Sequence, residues 1–221
     1  MNQSGNPKKV RLVRLDEEMV RKIEAAQMPF VNIPPINHLQ ECAESYRLIS
    51  NDTFCEQCRQ NKVGEPIVAL NFEWYGQAED LLTILLQRAV LGTESFLSCI
   101  VLQELVQRGL TTEKTREQIL NPFSLKGKGT ADNYYNRLPA LVATDYSLDK
   151  SDAALWKDVQ IFYKDARNKI FHGYLLNSRD PKTLIPYFEI LKRLFLWMDG
   201  WYEDKVGTIM PIQIKRYWPM D

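Results

Sequence analysis

Arg167, Asn168 and His172 stand together in the stretch ARNKIFHGYL (residues 166–175), and they are residue types suited to cleaving a phosphodiester. His172 is one of only two histidines in 221 residues. An imidazole titrates near neutrality and can take or give a proton at physiological pH. A guanidinium stays charged and can hold non-bridging phosphate oxygens as negative charge develops on them. The neighbouring amide is placed to orient the imidazole or a phosphate. RNA brings its own nucleophile, the 2′-hydroxyl, so the expected products are a 2′,3′-cyclic phosphate and a 5′-hydroxyl, and DNA should survive. The spacing sets a condition on this chemistry. On a helix, Asn168 and His172 share a face, whereas Arg167 lies about 140° round from His172. One helix end is then half a site, and two copies meeting across a two-fold axis would complete it. The competing reading is an ordinary helix end, with Arg167 and His172 on the terminal carbonyls and the helix dipole, Asn168 at the surface and Tyr174 in the core.

The run Arg167-Asn168-Lys169-Ile170-Phe171-His172 resembles the R-[polar]-x3-H signature of the HEPN superfamily (higher eukaryotes and prokaryotes nucleotide-binding). The continuation His172-Gly173-Tyr174 resembles the H-x-Y extension of HepT-type toxin ribonucleases. The resemblance implies an α-helical bundle and a metal-independent endoribonuclease site of Arg167, Asn168 and His172 at a homodimer interface. It also implies a toxin or defence role, with a cognate antitoxin or a nucleotidyltransferase as partner. In the HepT-type systems that enzyme adds AMP to a tyrosine, which makes Tyr174 the modification candidate. A non-catalytic module of the same bundle, binding nucleotide, RNA or protein, is the alternative function.

A second group of chemically capable residues lies upstream. His38, Cys42, Cys55 and Cys58 form H-x3-C-x12-C-x2-C, four ligands of suitable type for tetrahedral Zn²⁺. Four protein ligands leave no open position, so such a zinc would be structural. The alternative is a set of reduced cysteines around a helix and a turn. Cys99 lies inside an apolar run and reads as a core residue. The loop LKGKGTADN (125–133) lacks Walker spacing but carries lysines that can meet RNA phosphates, with Tyr134 and Tyr135 nearby for stacking. A solvated loop followed by core aromatics is the plainer reading.

The elements that must position these residues follow from periodicity. Residues 76–109 are helical and unusually apolar, either one long central helix or two helices broken at LGTES with Thr93 as a cap. Residues 110–120 read as a short helix capped by Thr111 or Thr112. A helix spans about Asp152 to Phe171, with Gly173 as its stop. Another covers 180–205 and starts near Pro186. Residues 8–15 (KKVRLVRL) and 207–218 alternate as strands do, and could pair into a small β element.

The fold class expected is therefore mostly α, a HEPN-like helical bundle with a small β element from the two ends. The expected organisation is an N-terminal extension over 1–75 carrying the Cys/His cluster, a helical domain over 76–205, and a strand-like tail over 206–221 packing on the N-terminal segment. Lys+Arg and Asp+Glu are both 28, so the net charge is +0 and polyanion binding must come from a local patch. The first fifteen residues contain no apolar signal core, and Arg88, Glu94 and Glu104 interrupt the most apolar stretch. With four cysteines and no such leader, a cytoplasmic location is expected, with no membrane partner.

Overall fold

A computed structural model describes residues 35–61, 77–143, 146–206 and 218. The described chain is helical, with no strand among the described residues. The two segments expected to pair as strands, 8–15 and 207–218, lie outside the described residues apart from Trp218. Residues 16–26 (DEEMVRKIEAA), whose acidic first turn would suit a short helix, also lie outside them.

The architecture is built round α3 (Ala78–Gln107), which follows α1 (Pro35–Ile49) and α2 (Asp52–Arg59). Its 30 residues make a rod about 45 Å long, uninterrupted at LGTES. The Thr93 hydroxyl, which a broken helix would have used as a cap, donates instead to the Ala89 carbonyl within the same helix (2.8 Å). α3 is apolar almost all the way round because it is covered on several sides. Leu82, Leu86, Val90, Phe96, Leu97 and Val101 are fully buried. By length and composition α3 could cross a membrane, but 78% of its most apolar window is buried inside the fold.

Helix α1 packs along α3, and Gly92 of α3 lies close against α1. A Cβ at Gly92 would lie 3.2 Å from Cys42 Sγ and 3.3 Å from the His38 carbonyl. Gly92→Val is therefore expected to push the two helices apart and cost about 1–3 kcal/mol, read as a lower denaturation midpoint with unchanged slope. Leu39, Cys42, Ile49, Phe54 and Cys58 belong to the same core as α3, so that core continues across residue 76.

The remaining elements close around this pair. α4 (Glu113–Leu120) is capped by Thr112, whose hydroxyl accepts from the Thr115 N–H. The short α5 (Thr130–Asp132) runs into a π-helical turn, Asn133–Arg137. α6 (Leu148–Ser151) precedes α7 (Ala153–Phe162), which Asp152 caps by accepting from the Leu155 N–H. A second π-helical turn (Tyr163–Arg167) joins α7 to α8 (Asn168–Phe171). α9 (Ile185–Trp201) carries its proline in the first turn, as expected from Pro186, and sends Phe188, Leu191, Leu194, Phe195 and Met198 into the core. Phe96 and Phe195 meet edge to face with centroids 5.1 Å apart. Trp218, 1% exposed, sits 5.8 Å from Tyr46 on α1 and 5.7 Å from Phe195 on α9.

Candidate functional site

The helix end at 167–174 stops by a Schellman motif. The Tyr174 N–H bonds to the Lys169 carbonyl (3.1 Å) and the Gly173 N–H to Ile170 (3.3 Å), with Gly173 at φ 85°. This makes His172 the C-cap. Two bonds from other elements pin that end to α3. Gln87 Nε2 donates to the Ile170 carbonyl (2.8 Å), and the Leu176 N–H donates to Thr83 Oγ1 (3.0 Å).

Arg167 and His172 point different ways, as their spacing requires. Arg167 turns inward, its side chain 13% exposed, onto Glu94 in the middle of α3. Its Nε lies 3.2 Å from Glu94 Oε1 and its Nη2 3.4 Å from Oε2. The guanidinium also lies over the Phe171 ring, 4.2 Å from its centroid. Nη1 has no hydrogen-bond partner among the described residues. Asn168 and His172 are exposed, and the His172 side chain makes no bond to any described residue. Tyr174 is 67% exposed rather than a core residue.

Tyr163 and Arg167 stand four residues apart on the π-helical turn, share a face and share one acceptor, Glu94. The Tyr163 hydroxyl donates to Glu94 Oε1 (2.8 Å) and lies 3.1 Å from the Tyr135 hydroxyl. Burial pushes the Glu94 carboxyl above its ordinary range, with Arg167 and the Tyr163 hydroxyl offsetting part of that rise. Burial also raises both tyrosines well above their usual value, so each keeps its proton. Glu94 is thus a positioning group for Arg167 that periodicity alone did not reveal. The signal available was a carboxylate in the middle of the most apolar helix.

The other predicted residues are placed as follows. His38 and Cys42 share a face of α1, while Cys55 and Cys58 lie on α2. The Cys42 thiol donates to the Ala89 carbonyl (3.2 Å) and Cys55 to the Ile49 carbonyl (3.3 Å). Burial pushes the Cys42 and Cys58 thiols up to about 12, which favours the protonated form. Among the described residues, no group of three or more His, Cys, Asp or Glu side chains is gathered as for a metal ion. Cys99 is a buried core thiol, as expected. Tyr135 is fully buried and is no stacking platform, because its ring packs edge-on against Tyr163 and Trp197.

No family model, no curated protein and no solved structure matches this chain. The functional reading therefore stands on the residues themselves.

Proposed function

We propose that the chain is a metal-independent endoribonuclease of the HEPN type that works at a homodimer interface. The observation that supports this reading is the split at one helix end. Arg167 is fixed by Glu94 with Nη1 bonded to no described residue, while Asn168 and His172 are exposed on the same helix end, His172 about a turn further on. In this reaction the 2′-oxygen of the substrate attacks the adjacent phosphorus and its proton passes to His172. The P–O5′ bond breaks, and the leaving oxygen takes a proton from His172 of a second copy. Arg167 stabilises the developing charge on the non-bridging oxygens through Nη1. Asn168 orients the phosphate or the imidazole. The exposure of Tyr174 suits modification by a partner nucleotidyltransferase, and a toxin or defence role follows from the same family reading.

The test is incubation of purified protein with RNA in excess EDTA. Fragments ending in 2′,3′-cyclic phosphate, with DNA of the same sequence intact, are the expected result. RNA bound but uncut would assign the chain to the non-catalytic alternative.

A further inference from the structure

A cleft of about 350 Å³ opens beside the candidate motif, and its walls have the chemistry of a single-strand nucleic-acid groove. One wall is a stripe along α7, the π-helical turn after it and α8. Trp156, Gln160, Lys164 and Asn168 recur every four residues and all line the cleft, so an aromatic, an amide, a cation and an amide lead up to the motif. Among the described residues, Trp156 pairs with no other aromatic ring, although the neighbouring Phe162, Tyr163, Tyr135, Tyr146, Trp197 and Trp201 all do. Its indole is half-buried, which fixes it in place while leaving surface to offer.

The opposite wall is held ready by its own hydrogen bonds. The Gly127 N–H donates to Asn133 Oδ1 (2.7 Å) and the Lys128 N–H to Asp132 Oδ2 (2.8 Å), which ties the lysine loop to the first π-helical turn. Asn136 Nδ2 donates to Asp132 Oδ1 (2.7 Å), and Arg137 Nε reaches Asp132 Oδ2 (3.3 Å). Burial alone would raise the Asp132 carboxyl. The Asn136 amide, the Lys128 N–H and the Arg137 guanidinium outweigh it and hold the carboxyl below its ordinary value. Asp132 is therefore occupied with its own wall. Lys128 and Lys164 are exposed and make no ion pair among the described residues, so one free cation stands on each side.

We infer that this cleft binds the nucleotides of single-stranded RNA next to the scissile phosphate. A base stacks on Trp156, the backbone phosphates lie between Lys128 and Lys164, and Gln160 meets a base edge. The inference rests on the ribonuclease reading for its substrate, but its test is a binding measurement that needs no cleavage.

The probe is a fluorescent single-stranded hexamer of 2′-O-methyl RNA, which has no free 2′-hydroxyl and cannot be cut, titrated into the full chain. Trp156→Leu and the pair Lys128→Gln with Lys164→Gln are each expected to weaken binding about tenfold. Each lysine lost should also flatten the log–log salt dependence by about 0.7. Trp156→Phe keeps a ring and should recover most of the affinity, which separates stacking from any loss of fold. Binding that responds in this way without cleavage of ordinary RNA leaves the cleft standing and removes the ribonuclease. RNA cleavage with hexamer binding indifferent to Trp156, Lys128 and Lys164 overturns the cleft. So does AMP binding as tightly as the hexamer through the same residues, since a free nucleotide would then be the ligand.

Discussion

His172→Ala is expected to lower RNA cleavage by about 10²- to 10⁴-fold while the protein stays folded. The side chain is exposed and bonds to no described residue, and the helix stop around it is made by backbone groups and Gly173. Removing the imidazole therefore leaves the Schellman motif in place and forfeits at most about 1 kcal/mol of favourable interaction with the helix dipole. Unfolding temperature and oligomeric state, measured on the same sample, should match the unsubstituted chain. A composite site makes a sharper demand. In a mixture of His172→Ala and Arg167→Ala chains, heterodimers place an intact His172 and an intact Arg167 on different copies. Because the proposed reaction draws on His172 of both copies, as base and as acid, these heterodimers should stay well below the unsubstituted chain, and full recovery would show that one His172 is enough. Undiminished activity in His172→Ala alone would remove the residue from the reaction and, with it, the reading of the motif.

The helical skeleton was legible because it rests on period and punctuation. Gly173 as a stop, Pro186 in a first turn, Thr112 as a cap and Asp152 at the head of α7 are local signals, read locally by the backbone. The choice at LGTES was not legible. Thr93 can cap a new helix or bond back to Ala89, and its burial within α3 decides between them. The site was legible only as a motif. Its spacing gave the opposed directions of Arg167 and His172, yet Glu94 had been an interruption in an apolar run, 73 residues away in sequence. Nothing local in the sequence announces that contact, or that Tyr163 and Arg167, four residues apart, meet on one carboxylate. Tyr135 failed as a stacking candidate for a related reason. Adjacent tyrosines look alike in sequence, and only packing shows which one the core takes. The stripe from Trp156 to Asn168 was readable by its period of four, but it gains meaning only from the lysine loop that folds over against it.

Substitutions at Glu94 should separate the fold's need for this residue from the site's need. Glu94→Ala removes the acceptor for the Tyr163 hydroxyl and for two nitrogens of Arg167, all in a region nearly closed to water. Stranding those donors is expected to cost about 3 kcal/mol. That corresponds to a fall in Tm of about 10 °C for a chain of this size. Glu94→Gln should behave differently. Burial raises the Glu94 carboxyl, so in the folded chain the ionised form is disfavoured relative to the unfolded one. The stability this group contributes is then fully present below the ordinary carboxylate range and is lost as pH rises through the raised value. A neutral amide that still accepts from Tyr163 is accordingly expected to hold the fold to within about 1 kcal/mol near neutral pH. It should also remove that component of the pH dependence, which urea unfolding across mildly acid to neutral pH would detect. What the amide loses is the charge that aligns Arg167, so on the ribonuclease reading its cleavage should fall while its stability holds. Equal destabilisation by Gln and Ala would make the ion pair itself structural. Full activity in Glu94→Gln would free Arg167 from any need of the carboxylate. If the fold holds with an amide at this position and cleavage falls, the Glu94 carboxylate is accounted for by the arginine it aligns.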